Sequence, residues 1–94
     1  MDVWIESAAG NLLNASSVNN IKVSESTPGG TWEVAAGTDA KTAPFATGLP
    51  SRDAARKVRN SLAVTMAKAA HADAVQMITW CSITEAVSTE ELDA

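Results

Sequence analysis

The sequence predicts an α+β domain: an antiparallel β-meander of three to four strands packed by one amphipathic helix, with a further C-terminal strand. Three observations predict it. β-Branched and aromatic residues alternate with polar ones through the first half, an apolar stripe at helical spacing runs over 52–70, and strand-forming residues return at 75–81.

Ninety-four residues, 46% hydrophobic and 19% charged, make one folded domain. Eighteen of the apolar residues are alanines, which bury little area each, so the core is small for the chain. Small domains of this kind gain stability by associating, and a homo-oligomer, a dimer first, is expected. The division read from the sequence is an α+β domain over 1–83 and an acidic tail over 84–94. The start, "MDVWIESAAG", has no basic region before an apolar run, and no stretch reaches the length of a membrane span. A cytoplasmic setting without membrane contact is expected, and the single Cys81 suits a reducing compartment.

In chain order, "VWIESA" (3–8) and "LLNASSVNNIKVSES" (12–26) read as two strands reversed at Gly10–Asn11. In the second, Ile21, Val23 and Glu25 fall on one face, which is expected to look inward, with Val18, Asn20 and Lys22 on the other. "TPGG" (27–30) is a turn: Pro28 presets φ at the first central position, and Gly29 supplies the positive φ that a type II turn needs at the second. "TWEVAAG" (31–37) alternates Trp32, Val34 and Ala36 with Thr31, Glu33 and Ala35, the period of a half-buried strand. "TDAKTAPFATGLP" (38–50) reads as a loop with a short edge strand around Phe45 to Thr47, because Pro44 cannot donate to a ladder.

Ser51 then caps a helix over 52–70, and Asp53 complements the positive end of its dipole. Spacing at 100° puts Ala55, Val58, Leu62, Thr65, Met66 and Ala69 on one side, suited to covering a sheet. After it, Val75, Met77, Thr79 and Cys81 alternate with Gln76, Ile78 and Trp80, a strand that joins the sheet or pairs across a subunit interface. From Thr84 the tail is expected to be frayed or a short helix capped by Ser88 or Thr89.

Charge is divided unevenly. Residues 1–40 carry a net −4, 41–70 carry +5 and 71–94 carry −5. Arg52, Arg56 and Arg59 fall within about 60° of one another along one border of the apolar stripe. As a structural feature this is a solvated helix face whose arginine stems pack on the sheet border. As a functional one it is an electrostatic contact for an acidic segment, either this chain's tail or that of a neighbouring subunit or acidic protein. Nucleic acid is disfavoured: both flanking segments are acidic, and no recognition motif accompanies the arginines. Trp4, Trp32 and Trp80 all fall on strands, where they serve as core or as interface anchors.

Catalytic and metal constellations are not expected. His71 is the one histidine, and a nucleophile–base pair with Cys81 would need the fold to bring the two together. Asp53 and Asp73 each have a local capping role, and the glycine turns lack the phosphate-loop pattern. No cofactor is implied. The alternative to an interaction module is a small-ligand or enzyme-accessory domain using a sheet–helix crevice near His71 and Cys81.

The ordering "WI…LLN…V..I.V…W.V.A…G.PS..AA", at positions 4–5, 12–14, 18–23, 32–36 and 48–55, resembles small bacterial or phage-encoded proteins built as a strand meander followed by one helix. The resemblance covers about half the chain and implies an interaction module; the segment after residue 71 departs from that form.

Overall fold

The protein is described by a computed structural model over residues 3–71 and 74–91. Its elements in order are β1 (Val3–Glu6), β2 (Leu12–Asn14), a 3₁₀ turn (Ala15–Ser17), β3 (Asn20–Glu25), β4 (Trp32–Gly37), β5 (Thr42–Leu49), α1 (Arg52–Ala69), β6 (Gln76–Cys81) and β7 (Ala86–Glu91). The expected meander is present as the antiparallel sheet β3-β4-β5. A second sheet of order β2-β1-β6-β7 stands beside it, built from two antiparallel hairpins joined by the parallel pair β1·β6, with Trp4 opposite Met77 and Ile5 opposite Ile78.

The β3–β4 hairpin forms for the reason its residues indicate. Gly30 N–H donates to Thr27 O at 2.8 Å across the turn, and Gly29 takes φ +73°. At position 30 a Cβ would lie 2.1 Å from Thr27 Oγ1 and 3.2 Å from Thr27 O, so a larger residue there must turn the Thr27 side chain aside. Beyond the turn, Ile21 and Val23 are half-buried against the core while Asn20, Lys22 and Ser24 are exposed. Val34 and Ala36 of β4 are fully buried, and Ala35 on the other face is nearly so.

Three expectations are corrected. The segment 12–26 is not one strand: the Asn14 side chain accepts from Ser16 N–H (3.0 Å) and engages its hydroxyl (2.8 Å), and the resulting 3₁₀ turn carries the chain from one sheet to the other. The 38–50 stretch is a full strand. Pro44 is tolerated because β5 is an edge strand, and its carbonyl accepts from Ala8 N–H at 2.7 Å, tying the β1–β2 turn of the second sheet to the meander. The tail is neither frayed nor helical over its described part: Ala86–Glu91 pairs antiparallel with β6, Trp80 opposite Val87 and Cys81 opposite Ala86. The expected strand at 75–81 is β6, and it joins the sheet.

Ser51 caps α1 by accepting from Ala54 N–H at 3.1 Å. The helix buries Ala55, Val58, Leu62 and Ala69, with Thr65 and Met66 half-buried beside them, which is the stripe that the spacing predicts. The largest fully buried side chains, Phe45, Ile5, Leu62, Ile78 and Val34, come from β5, β1, α1, β6 and β4, so helix and both sheets share one core.

Leu62→Ala is expected to lower unfolding free energy by about 2 to 5 kcal/mol. Val64→Ala, on the exposed face of the same helix, is expected to change it by less than about 0.5 kcal/mol. Equilibrium urea unfolding of both variants checks the placement of the stripe; similar losses for the two would contradict it.

Candidate functional site

Because the buried stripe lies in the middle of the helix face, α1 has two borders, and each meets a different sheet. Along one border are Arg52, Arg56, Arg59, Ala63 and Met66. Arg52 and Arg56 are exposed and Arg59 is half-buried, its Nε and Nη2 both donating to Asn60 Oδ1 at 3.1 and 3.0 Å. This border faces β3. A cleft of about 340 Å³ runs between them, floored by Val18, Ile21, Ala63 and Met66, with Arg59 and Asn60 on its helix side. Asn19 on the strand side donates its amide to Asp39 of the β4–β5 turn.

The opposite border carries Ala54, Lys57, Thr65 and Lys68 and faces the other sheet. Toward its C-terminal end, Thr65 and Lys68 share a cleft of about 370 Å³ with Val87, Ser88 and Thr89 of β7. Toward its N-terminal end, Asp53 and Lys57 share one of about 400 Å³ with Trp80, Ser82 and Glu85. The acidic C-terminal strand of the chain thus packs along the lysine border, and the arginine border meets β3. The arginines are brought together as their spacing indicates, while the chain's own described acidic residues after position 84 lie on the other side of the helix.

The three tryptophans separate. Trp32 and Trp80 are half-buried and pack against the core cluster. Trp4 is half-buried on the opposite face of its sheet, beside Met77 in register, away from the helix. The indole N–H of Trp80 is buried and has no hydrogen-bond partner in the structure. Nothing in the sequence marks that orphan donor; it arises where α1, β5 and the β6–β7 turn meet.

His71 sits just past the helix C-terminus, its N–H donating to Lys68 O. Cys81 is at the far end of β6, about 16 Å of strand away from the end that follows His71. Alternation also turns Cys81 to the same face as Met77 and Thr79, opposite to Trp80 and the helix clefts. The fold therefore does not assemble the two into a nucleophile–base pair, and the crevice that forms is lined by Trp80 and Ser82 in their place. Asp73 lies outside the described residues. Among the described residues there is no group of three or more histidine, cysteine, aspartate or glutamate side chains able to hold a metal ion. No described helix is long and apolar enough to cross a membrane.

Cys81 has one distinctive property. The hydroxyl of Thr84, then the backbone N–H groups of Thr84 and Ile83, hold its thiol below the ordinary value, against a smaller opposing effect of burial. The turn that supplies these donors, Ser82–Glu85, ends on Glu85 at φ +52°, the left-handed region that a residue with a Cβ adopts at a cost. No family model, curated protein or solved structure matches the chain.

Alkylation of Cys81 by iodoacetamide is expected to reach half its limiting rate at a lower pH in the folded protein than in urea, and Thr84→Val should move the folded midpoint upward. A thiol whose folded pKa is depressed adds stability above the unfolded pKa and loses it as pH falls through the folded one, so unfolding midpoints should rise on the alkaline side. Independently, Glu85→Gly is expected to stabilise the fold by about 1 kcal/mol by removing the left-handed strain; a loss of stability in thermal unfolding would show that the Glu85 side chain contributes more than its backbone costs.

Proposed function

We propose that the protein is a non-enzymatic interaction and assembly module that associates with copies of itself, using Arg52, Arg56 and Arg59 to dock an acidic segment of a neighbouring subunit. The observation that carries this reading is the position of the arginine border: Arg59 lines a cleft with an apolar floor, and Arg52 and Arg56, both exposed, continue the same helix border toward its N-terminus, on the side of the helix away from the chain's own acidic strand. A docking segment with carboxylates at its margin and an apolar side chain at its centre suits that cleft, since apolar contact supplies affinity and charge supplies register and rate. The chain's own Glu85, Glu90 and Glu91, all exposed, offer such carboxylates in trans. A small core rich in alanine supports association as a route to added stability. A cytoplasmic setting belongs to this reading, supported by a single thiol that suits a reducing compartment.

A second reading has its own observation. The cleft of about 400 Å³ lined by Asp53, Lys57, Trp80 and Glu85 has the volume of a small-ligand site and combines an aromatic wall with charges of both signs. It supports a small-ligand or accessory domain.

Light scattering coupled to size exclusion separates the two. Raising salt from about 0.1 M to about 1 M shortens the screening length from about 10 Å to about 3 Å, and the oligomer is expected to dissociate over that range. Arg52→Gln, Arg56→Gln and Arg59→Gln together should lower self-affinity roughly tenfold at the lower salt. A protein that is monomeric throughout refutes the assembly reading and favours the ligand cleft; an oligomer insensitive to salt and to the triple variant refutes the arginine contact.

A further inference from the structure

The β6–β7 turn and the cleft beside Arg59 are complementary, and from this we infer that the segment that docks is the turn Ser82–Glu85 of a second copy, with Ile83 seated on the cleft floor and Glu85 meeting Arg59. The inference rests on the assembly reading above and names its contact. Ile83 is 92% exposed, whereas the other large apolar side chains that face solvent, Leu12 and Val64, are at 45% and 53%. The turn itself has no need of isoleucine. Glycine, asparagine, aspartate or serine would serve it, and the N–H that Ile83 directs to the Cys81 thiol could come from any residue but proline. Glu85 is out of place in the same way: it holds φ +52°, where glycine or asparagine sits at less cost. Asp53 and Lys57, which line a cleft with Glu85, offset one another, so the turn keeps a net negative charge. Cys81 and Ala86 pair in the ladder at its base, and a knob formed in advance loses little freedom on docking.

The receiving cleft has the matching chemistry. Its floor of Val18, Ile21, Ala63 and Met66 suits a branched aliphatic side chain, and among the described residues none that lines it is acidic. Arg59 stands at its margin; its bonds to Asn60 use Nε and Nη2, which leaves Nη1 to donate to a carboxylate. On the strand side the rim is amide, Asn20 donating to Asn19 Oδ1 at 2.7 Å, and the nearby Asp39 accepts from Asn19. Ile83 and Glu85 are two positions apart, at most about 7 Å of chain, so an isoleucine on the floor brings the carboxylate within reach of that margin. The other clefts fit this knob less well. Those lined by Asp53 and Glu85 or by Glu6 would set carboxylate against carboxylate, and the one at Lys68 is walled by Thr65, Gln76, Ser88 and Thr89. Turn and cleft lie on opposite borders of α1, so the contact forms between copies. It is the same contact whether two copies exchange turns about a twofold axis or each passes its turn to the next.

Variants of the full chain at exposed positions test the pairing by sedimentation velocity. Ile83→Ser and Ala63→Glu are each expected to weaken self-association about tenfold or more, and Val64→Ser to leave it unchanged. An equimolar mixture of Ile83→Ser with Ala63→Glu should associate more strongly than either alone, since one supplies an intact cleft and the other an intact turn. Glu85→Asn should weaken association while raising the urea midpoint, measured at concentrations where every chain is monomeric; a merely structural role would move both the same way. A wild type whose assembly depends on salt and on the arginines but not on Ile83 overturns the turn as occupant and leaves the arginine contact standing. Weakening by Ile83→Ser without weakening by Ala63→Glu, or a mixture no stronger than its parts, overturns the cleft as its seat. Equal weakening by Val64→Ser overturns the specific contact, and a wild type monomeric at every concentration overturns the assembly reading with it.

Discussion

The structure depends on one stripe of small and medium apolar side chains on α1 lying on two sheets at once. Hydrogen bonds order each sheet internally, but no ladder joins β3-β4-β5 to β2-β1-β6-β7. Their union rests on the shared core under Ala55, Val58, Leu62 and Ala69, helped by the Ala8–Pro44 backbone bond at 2.7 Å. The many alanines then take on a purpose. Ala55, Ala46 and Ala36, almost wholly buried, hold helix and strands at a separation that larger side chains would widen, and Leu62 and Phe45 fill what space remains. A helix seated in this way has both borders fixed in place, one over β3 and one over β7, and the distribution of charge around the molecule follows from that seating.

What the sequence reveals and what it conceals divide along the line between local and distant contacts. The cap at Ser51, the stripe of α1, the Thr27–Gly30 turn and the alternation of Trp32, Val34 and Ala36 are decided by residues a few positions apart, and these are legible. The parallel pairing of β1 with β6 joins residues some seventy positions apart and has no local signature. β7 is concealed for a different reason: in "AVSTEE" only Val87 is even half-buried, so the strand is specified by its partner β6 more than by its own pattern. β5 is hidden by Pro44, which excludes a central strand but not an edge. The same division governs the site. The clustering of three arginines is a property of one helix and can be read from spacing; which border the acidic strand occupies depends on sheet order and cannot.

One corner of the molecule runs against local preference. The indole N–H of Trp80 is buried without a partner, Glu85 adopts a left-handed backbone, and both border the cleft at the N-terminal end of α1. Each costs on the order of 1 to 3 kcal/mol. They persist because the β6–β7 turn must close over the end of β6 within four residues, and because Trp80 packs on the core from a strand position that leaves its N–H no acceptor. Departures from local consistency concentrated in one place, with a cleft beside them, mark the region where the fold has the most to gain from an added contact.

The net charge of −4 conceals an internal separation, and that separation is more informative than its sum. Were acidic and basic groups interspersed, each edge would be bland and neither would select a partner. The helix contributes its arginines to one border and its lysines Lys57 and Lys68 to the other, where Glu85 and the strand that ends in Glu90 and Glu91 also stand, so the first border is basic and the second carries both signs.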